Sequence, residues 1–154
     1  MRALVFDLDG TLVDSRQDIT QSILVALEQL GLHPVLSPEE IGALVGRPLT
    51  EMFERAAPGI DADGVERAVV AYRAHFADHC RDHSRLYDGV EEAIAGLAPR
   101  LLLGCATTKR PEPARRVLEA FDLLPRLQAW RGTSEDMNFK PAPDIILAIA
   151  GDLD

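Results

Sequence analysis

Apolar residues run unbroken from Ala3 to Phe6 and stop at Asp7, which predicts a short strand buried on both faces whose carboxyl end opens into a loop. Beyond it the period changes. Ser15 with Asp18 three positions on reads as a capping box, and Ile19, Ile23, Leu27 and Leu30 follow at helical spacing until Gly31 and Pro34. Ser37-Pro38-Glu39-Glu40 repeats the start signal, with Ile41, Leu44 and Val45 as the apolar stripe up to Gly46. Leu49, Met52, Phe53 and Ala56 predict a third helix, closed by Pro58-Gly59. Val65, Val69, Tyr72, Phe76 and Cys80 predict a long fourth.

After Tyr87-Asp88-Gly89 the pattern alternates between helix and strand. A helix is expected from about Val90 to Ala98, a buried strand from Leu101 to Ala106, and a helix opened by Pro111 and Pro113 that buries Ala114, Val117, Leu118 and Phe121. Leu127 to Trp130 reads as a weaker strand, and Pro141-Ala142-Pro143-Asp144 opens a last helix carrying Ile145, Ile146 and Ile149. The predicted fold class is α/β. Residues 1–14 and 85–154 form a parallel-sheet core, interrupted after its first strand by a four-helix insertion over residues 15–84.

Composition narrows the function. Of 154 residues, 47% are hydrophobic and 27% charged, and a folded chain of this length buries roughly 70% of its unfolded surface. The balance of 16 Lys and Arg against 25 Asp and Glu leaves a net charge of −9. Nucleic acid and anionic membrane are therefore not expected partners, since both need a positive face. No apolar run approaches a membrane span and the first residues lack a cleavage site, so a cytoplasmic location is expected. Cys80 and Cys105 have no paired spacing and read as small core hydrophobes in a reducing compartment.

The chemistry concentrates in Phe6-Asp7-Leu8-Asp9-Gly10-Thr11-Leu12-Val13-Asp14-Ser15. Two carboxylates stand two residues apart at the carboxyl end of a buried strand, where open α/β sheets bind ligands. Residues i and i+2 leave a strand on the same side. Asp7 is then placed to attack an electrophile while Asp9 donates and takes back a proton. A pair of turn-forming acids is the plainer alternative.

The string Asp7-Leu8-Asp9-Gly10-Thr11 resembles the first motif of the haloacid dehalogenase superfamily, and Leu12-Val13-Asp14-Ser15 is similar to its phosphoglycolate-phosphatase-type members. Two further motifs follow in order. Leu102-Leu103-Gly104-Cys105-Ala106-Thr107 resembles the apolar strand ending in Ser or Thr, and Lys140-Pro141-Ala142-Pro143-Asp144 resembles the Lys that precedes a helix. The resemblance implies a Rossmann-like core with a helical cap. It also implies a magnesium-dependent phosphatase that hydrolyses a small, phosphoglycolate-like phosphorylated metabolite through an aspartyl-phosphate.

In such an enzyme an anionic carboxylate must approach an anionic phosphate, so cations and donors must offset the repulsion. By resemblance, Asp7 is the nucleophile and Asp9 the acid–base group, Thr107 hydrogen-bonds a phosphoryl oxygen, and Lys140 neutralises Asp7 and the transferring group. Magnesium would be held by Asp7, the backbone carbonyl of Asp9 and the phosphate. The amides of Leu8 and Asp9 would cradle oxygens, with Gly10, Thr11 and Thr108 in the same substrate-binding set. Resemblance further implies that dehalogenases and phosphonate-cleaving members lack the second acid, so Asp9 favours phosphoryl transfer. Gly46-Arg47-Pro48 falls where the family places its substrate-selecting loop, with Arg47 a candidate for an anionic part of the substrate.

Other features fit less well. His75, His79 and His83 recur at four-residue spacing, but no carboxylate or thiol completes a metal site, and a polar helix face is expected. The family's fourth motif, acids after a further strand, is not found: Gly151-Asp152-Leu153-Asp154 continues the last helix directly, so neither Asp is expected to bind metal. The missing strand would lie beside the first. The open edge predicts a piece of a longer protein, with an unstable chain or a homodimer through that edge as the alternatives. A phosphomutase, or a non-catalytic phosphate-binding domain, remains as a competing reading.

Overall fold

Ala3–Phe6 forms strand β1 of a computed structural model that describes residues 2–154. Its chain continues through β2 (Val13–Asp14), α1 (Arg16–Gln29), α2 (Pro38–Gly42), α3 (Leu49–Ala56), α4 (Ala62–His79) and β3 (Arg85–Leu86). Then come α5 (Val90–Leu97), β4 (Leu102–Thr107), α6 (Pro111–Ala120), a 3-10 turn at Leu124–Arg126, β5 (Ala129–Gly132) and α7 (Asp144–Asp152). Two compact units result: Met1–Asp14 with Arg85–Asp154, and Ser15–Ser84. None of the described helices is long and apolar enough to cross a membrane.

The first unit is built on a parallel three-stranded sheet in the order β1-β4-β5. Phe6 pairs with Cys105 and Cys105 with Trp130, so the carboxyl ends of all three strands fall at one end of the sheet. α7 packs against β4 and β5 through Ile145 and Ile149, both fully buried, and Leu153. Each such side chain contributes about 1.5–3 kcal/mol of burial. Gly104 permits the approach: a Cβ there would stand 3.0 Å from the side chains of Ile149 and Leu153. Where the chain leaves and re-enters this unit, Val13 and Asp14 of β2 pair antiparallel with Leu86 and Arg85 of β3.

The second unit is four helices. α1 packs on α4 and α2, and α3 on α4, around Ile23, Leu27, Ile41, Phe53 and Phe76. Tyr72 stacks on Phe76 at 5.4 Å and meets Phe53 edge-on at 6.4 Å, geometries that add to simple area burial. Ser37 closes the expected capping box: its hydroxyl accepts from the Glu40 amide while Glu40 accepts from the Ser37 amide.

Several expectations are corrected. Ser15 does not cap α1 with its side chain. Asp18 is not a capping partner but a buried acceptor, 2% exposed, that takes the amides of His83 and Ser84, the Ser84 hydroxyl at 2.6 Å and the His83 ring at 2.9 Å. It thus ties the first turn of the helical unit to that unit's last residues. α2 ends at Gly42, and Leu44 and Val45 lie in turns that lead to Gly46 at φ +102°. The strand expected at Leu127–Trp130 forms two residues later, because the Gln128 side chain accepts from the Leu103 amide and Leu127 closes the 3-10 turn. The three histidines share no face: α4 ends at His79, which stacks on His75, while His83 lies beyond it on Asp18.

Candidate active site

Asp7 follows the last residue of β1, and the loop after it is folded tightly on Leu8. The Leu8 carbonyl accepts from the amides of Thr11 (3.3 Å), Leu12 and Val13 (both 3.0 Å), and Leu8 itself is fully buried. The turn needs Gly10, whose φ of +82° is a conformation other residues adopt at a cost and whose amide donates to Val13. Sequence therefore fixes Asp7 and Asp9 on either side of one buried anchor.

β4 delivers the neighbouring groups. One step past the Phe6–Cys105 pairing, Lys140 Nζ lies 3.2 Å from Asp7 Oδ1 and donates to the Ala106 carbonyl at 2.8 Å. Lys140 comes from the segment before α7, where the Asp144 carboxylate accepts from the Asn138 amide and side chain and shapes the loop. Thr107 closes β4 with 1% exposure, and its carbonyl accepts from the amide and hydroxyl of Thr133. Asp7, Asp9, Thr107 and Lys140 thus gather at the carboxyl ends of β1 and β4.

Lys109 is the residue that sequence reasoning missed. Its ammonium lies 2.8 Å from Asp9 Oδ2, with side-chain exposures of only 11% and 8%. Each carboxylate therefore has its own lysine. The signal was a Lys directly after Thr107-Thr108 at a strand end, a position whose nearness to Asp9 emerges only from the pairing of β1 with β4.

Other candidates stand as follows. The Leu8 amide, expected to face a phosphoryl oxygen, donates to Asp7 Oδ1 at 2.8 Å. Gly10 and Thr11 are exposed on the turn, and Thr108 is half-buried between Thr107 and Lys109. In the helical unit Arg47 lies in the turn after α2 and bonds Glu51 at 2.7 Å, an acceptor it shares with Arg55. Asp152 ends α7 with both oxygens on Arg131.

The site's negative character is felt by its neighbour. Burial, and then the charges of Asp7 and Asp9, push the Cys105 thiol up to about 12, so it stays a neutral, unreactive packing group. Among the described residues no cluster of three or more His, Cys, Asp or Glu is arranged around an ion. The half-exposed Asp7 carboxylate nonetheless suits magnesium, a hard cation commonly held by one or two carboxylates, substrate phosphate and waters.

Known proteins resemble this chain in sequence and in fold. Over 134 residues the chain is 34% identical to the tyrosine-protein kinase PtkA of Mycobacterium tuberculosis, covering 86% of this chain and 45% of that one. It is 35% identical over 129 residues to the phosphoglycolate phosphatase of Chromobacterium violaceum, covering 80% and 58%. The crystal structure of a predicted phosphoglycolate phosphatase from Haemophilus somnus matches with a TM-score of 0.86 and 25% identity, over 98% of this chain and 71% of that one. The chain spans about half the length of these curated relatives. The family model for haloacid dehalogenase-like hydrolases matches residues 4–153, nearly end to end, and this α/β chain with its helical insertion belongs to that family.

Proposed function

We propose that this chain belongs to a magnesium-dependent phosphatase acting in the cytoplasm on a small phosphorylated metabolite of phosphoglycolate type. The observation that carries the reading is the contact between Asp7 and Lys140 at the end of β1, beside Thr107 and Asp9. Family membership and the similarity to phosphoglycolate phosphatases support it.

In the first step an Asp7 oxygen attacks phosphorus and the bond to the leaving oxygen breaks, with Asp9 supplying that oxygen's proton. In the second, water attacks the phosphorus of the aspartyl-phosphate, Asp9 takes the water's proton, and phosphate leaves Asp7. Lys140 offsets the charge that gathers as carboxylate and phosphoryl group approach, and the Thr107 hydroxyl holds a phosphoryl oxygen. Magnesium, bound by the Asp7 carboxylate and the Asp9 carbonyl, would supply further neutralisation of the phosphoryl oxygens.

Phosphate release from an aryl phosphate and from phosphoglycolate, with and without magnesium, tests the reading. Release that requires magnesium is expected, and no release from either substrate in its presence refutes the reading for this chain. Arg47 supplies a test of selectivity. Arg47→Ala is expected to raise KM for phosphoglycolate about tenfold while leaving the aryl phosphate much less affected. Steady-state kinetics on both substrates decides, and equal changes would remove Arg47 from substrate recognition.

A second reading, transfer to an acceptor hydroxyl instead of water, is favoured by the similarity to a tyrosine-protein kinase. Phosphoryl label that appears on an acceptor and not as free phosphate selects it.

A further inference from the structure

We propose that Lys109 is a positioning residue for Asp9, which it holds in the orientation needed for proton transfer. The inference rests on the reading of Asp9 as the acid–base group, and it adds a residue to which no role has been attached.

Three contacts fix the backbone from which Lys109 projects. Its amide donates to Thr107 Oγ1 at 3.2 Å, and its carbonyl accepts from the Thr133 amide at 2.8 Å. On the third side Gly132 of β5 is packed so closely that a Cβ there would stand 2.6 Å from the Lys109 carbonyl oxygen. Both neighbours belong to the sheet or its edge: Thr107 closes β4, and Thr133 follows β5. The ammonium is thus carried on a segment anchored to two strands and delivered to the turn that follows a third, where it meets Asp9 Oδ2 at 2.8 Å.

The side chain of Asp9 stands in a turn whose backbone is set by Leu8 and Gly10, yet its carboxyl still has two torsions to choose. An acid–base group must lie within hydrogen-bond reach of the oxygen it serves, and small misplacements are expensive in rate. A buried ammonium held against Oδ2 restricts those torsions. Stability alone is a poor explanation for the pair, because buried ion pairs often contribute little beyond what an apolar pair of similar volume would. The lysine is better accounted for by what it orients.

The test uses the full chain with Lys109→Met, Lys109→Arg and Asp9→Asn, measuring kcat and KM on an aryl phosphate and on an alkyl phosphate, whose poor leaving group depends most on the proton. Lys109→Met is expected to lower kcat on the alkyl phosphate about 10- to 100-fold, with a loss at least tenfold smaller on the aryl phosphate and no matching rise in KM. Lys109→Arg restores most of the loss. A crystal structure of Lys109→Met is expected to have the Asp9 carboxyl turned away from its present position.

Equal losses on both substrates, or an Asp9 carboxyl that keeps its position without the lysine, overturn the proposal. Asp9→Asn separates this from the underlying reading. If that variant also loses both substrates equally, the acid–base assignment itself fails. If it is selective for the alkyl phosphate while Lys109→Met is not, only the role of Lys109 falls. Should the unaltered chain turn over neither substrate, the phosphatase reading fails, and the position of Asp9 in the Lys109→Met structure still decides whether Lys109 positions it.

Discussion

Replacing Asp7 by Asn is expected to lower phosphate release by about 10⁴-fold or more while leaving the fold intact. The amide oxygen of Asn has the shape of the carboxylate it replaces and can still accept from the Leu8 amide, the bond that Asp7 Oδ1 makes at 2.8 Å. Lys140 keeps its bond to the Ala106 carbonyl, so it too has a partner when the charge is removed. What the amide cannot do is attack phosphorus, and no other carboxylate follows β1 at that position. Phosphate release from an aryl phosphate, read beside the thermal midpoint of the same preparation, checks both halves. Residual activity above about 1% of the parent, from protein free of contaminating phosphatase, would refute the nucleophile assignment.

The second large effect lies far from chemistry in kind. Asp18→Ala is expected to destabilise the helical unit by about 3–5 kcal/mol, because it strands the amides of His83 and Ser84 and the Ser84 hydroxyl without their acceptor. A change of that size moves the thermal midpoint by very roughly 10 °C in a chain of this length. Burial disfavours the Asp18 carboxylate, but the Ser84 hydroxyl, the His83 amide and ring and the Ser84 amide outweigh that cost and hold its pKa below the ordinary value. The sign follows: a carboxyl with a depressed folded pKa contributes fully above its unfolded value of about 4, and the contribution fades as pH falls through the lower folded value. Chemical denaturation at neutral pH and near pH 3 should show the difference between parent and variant shrink in acid. A variant as stable as the parent at neutral pH would exclude the clasp.

What could be read from the chain in advance was whatever rests on local period and local turn chemistry. The unbroken run of Ala3–Phe6, the helical stripes of Ile19, Ile23 and Leu27, and the Ser37 cap need no distant partner to declare themselves. β2 and β3 were invisible for the opposite reason. Each is two residues long, and neither has a pattern until Val13 meets Leu86. Ser15-x-x-Asp18 shows how a local signature can mislead, since the acid found better donors at the far end of the helical unit. His83 failed similarly: spacing assumed that the helix continues, whereas it stops at His79.

The candidate site divides along the same line. Asp7, Asp9, Thr107 and Lys140 each stand at the end of a predicted element; the meeting of the first three needs only that β1 and β4 be parallel neighbours, and Lys140 joins them from the segment before α7. Lys109 depends on the register as well, because Phe6 must pair with Cys105 for the residue two beyond Thr107 to reach Asp9. That information is not local.

The placement of the two thiols offers an internal gauge of cooperativity. Cys80 is buried in the Ser15–Ser84 unit and Cys105 in the other, and neither is part of a disulfide. Neither can meet an alkylating reagent in proportion to its reactivity until its own surroundings open, so labelling at each position measures the opening free energy of one unit. Equal protection would mean that the helices and the sheet come apart as a single event; weaker protection at Cys80 would mean that the helical unit unfolds by itself while the strands that carry Asp7 and Thr107 stay formed.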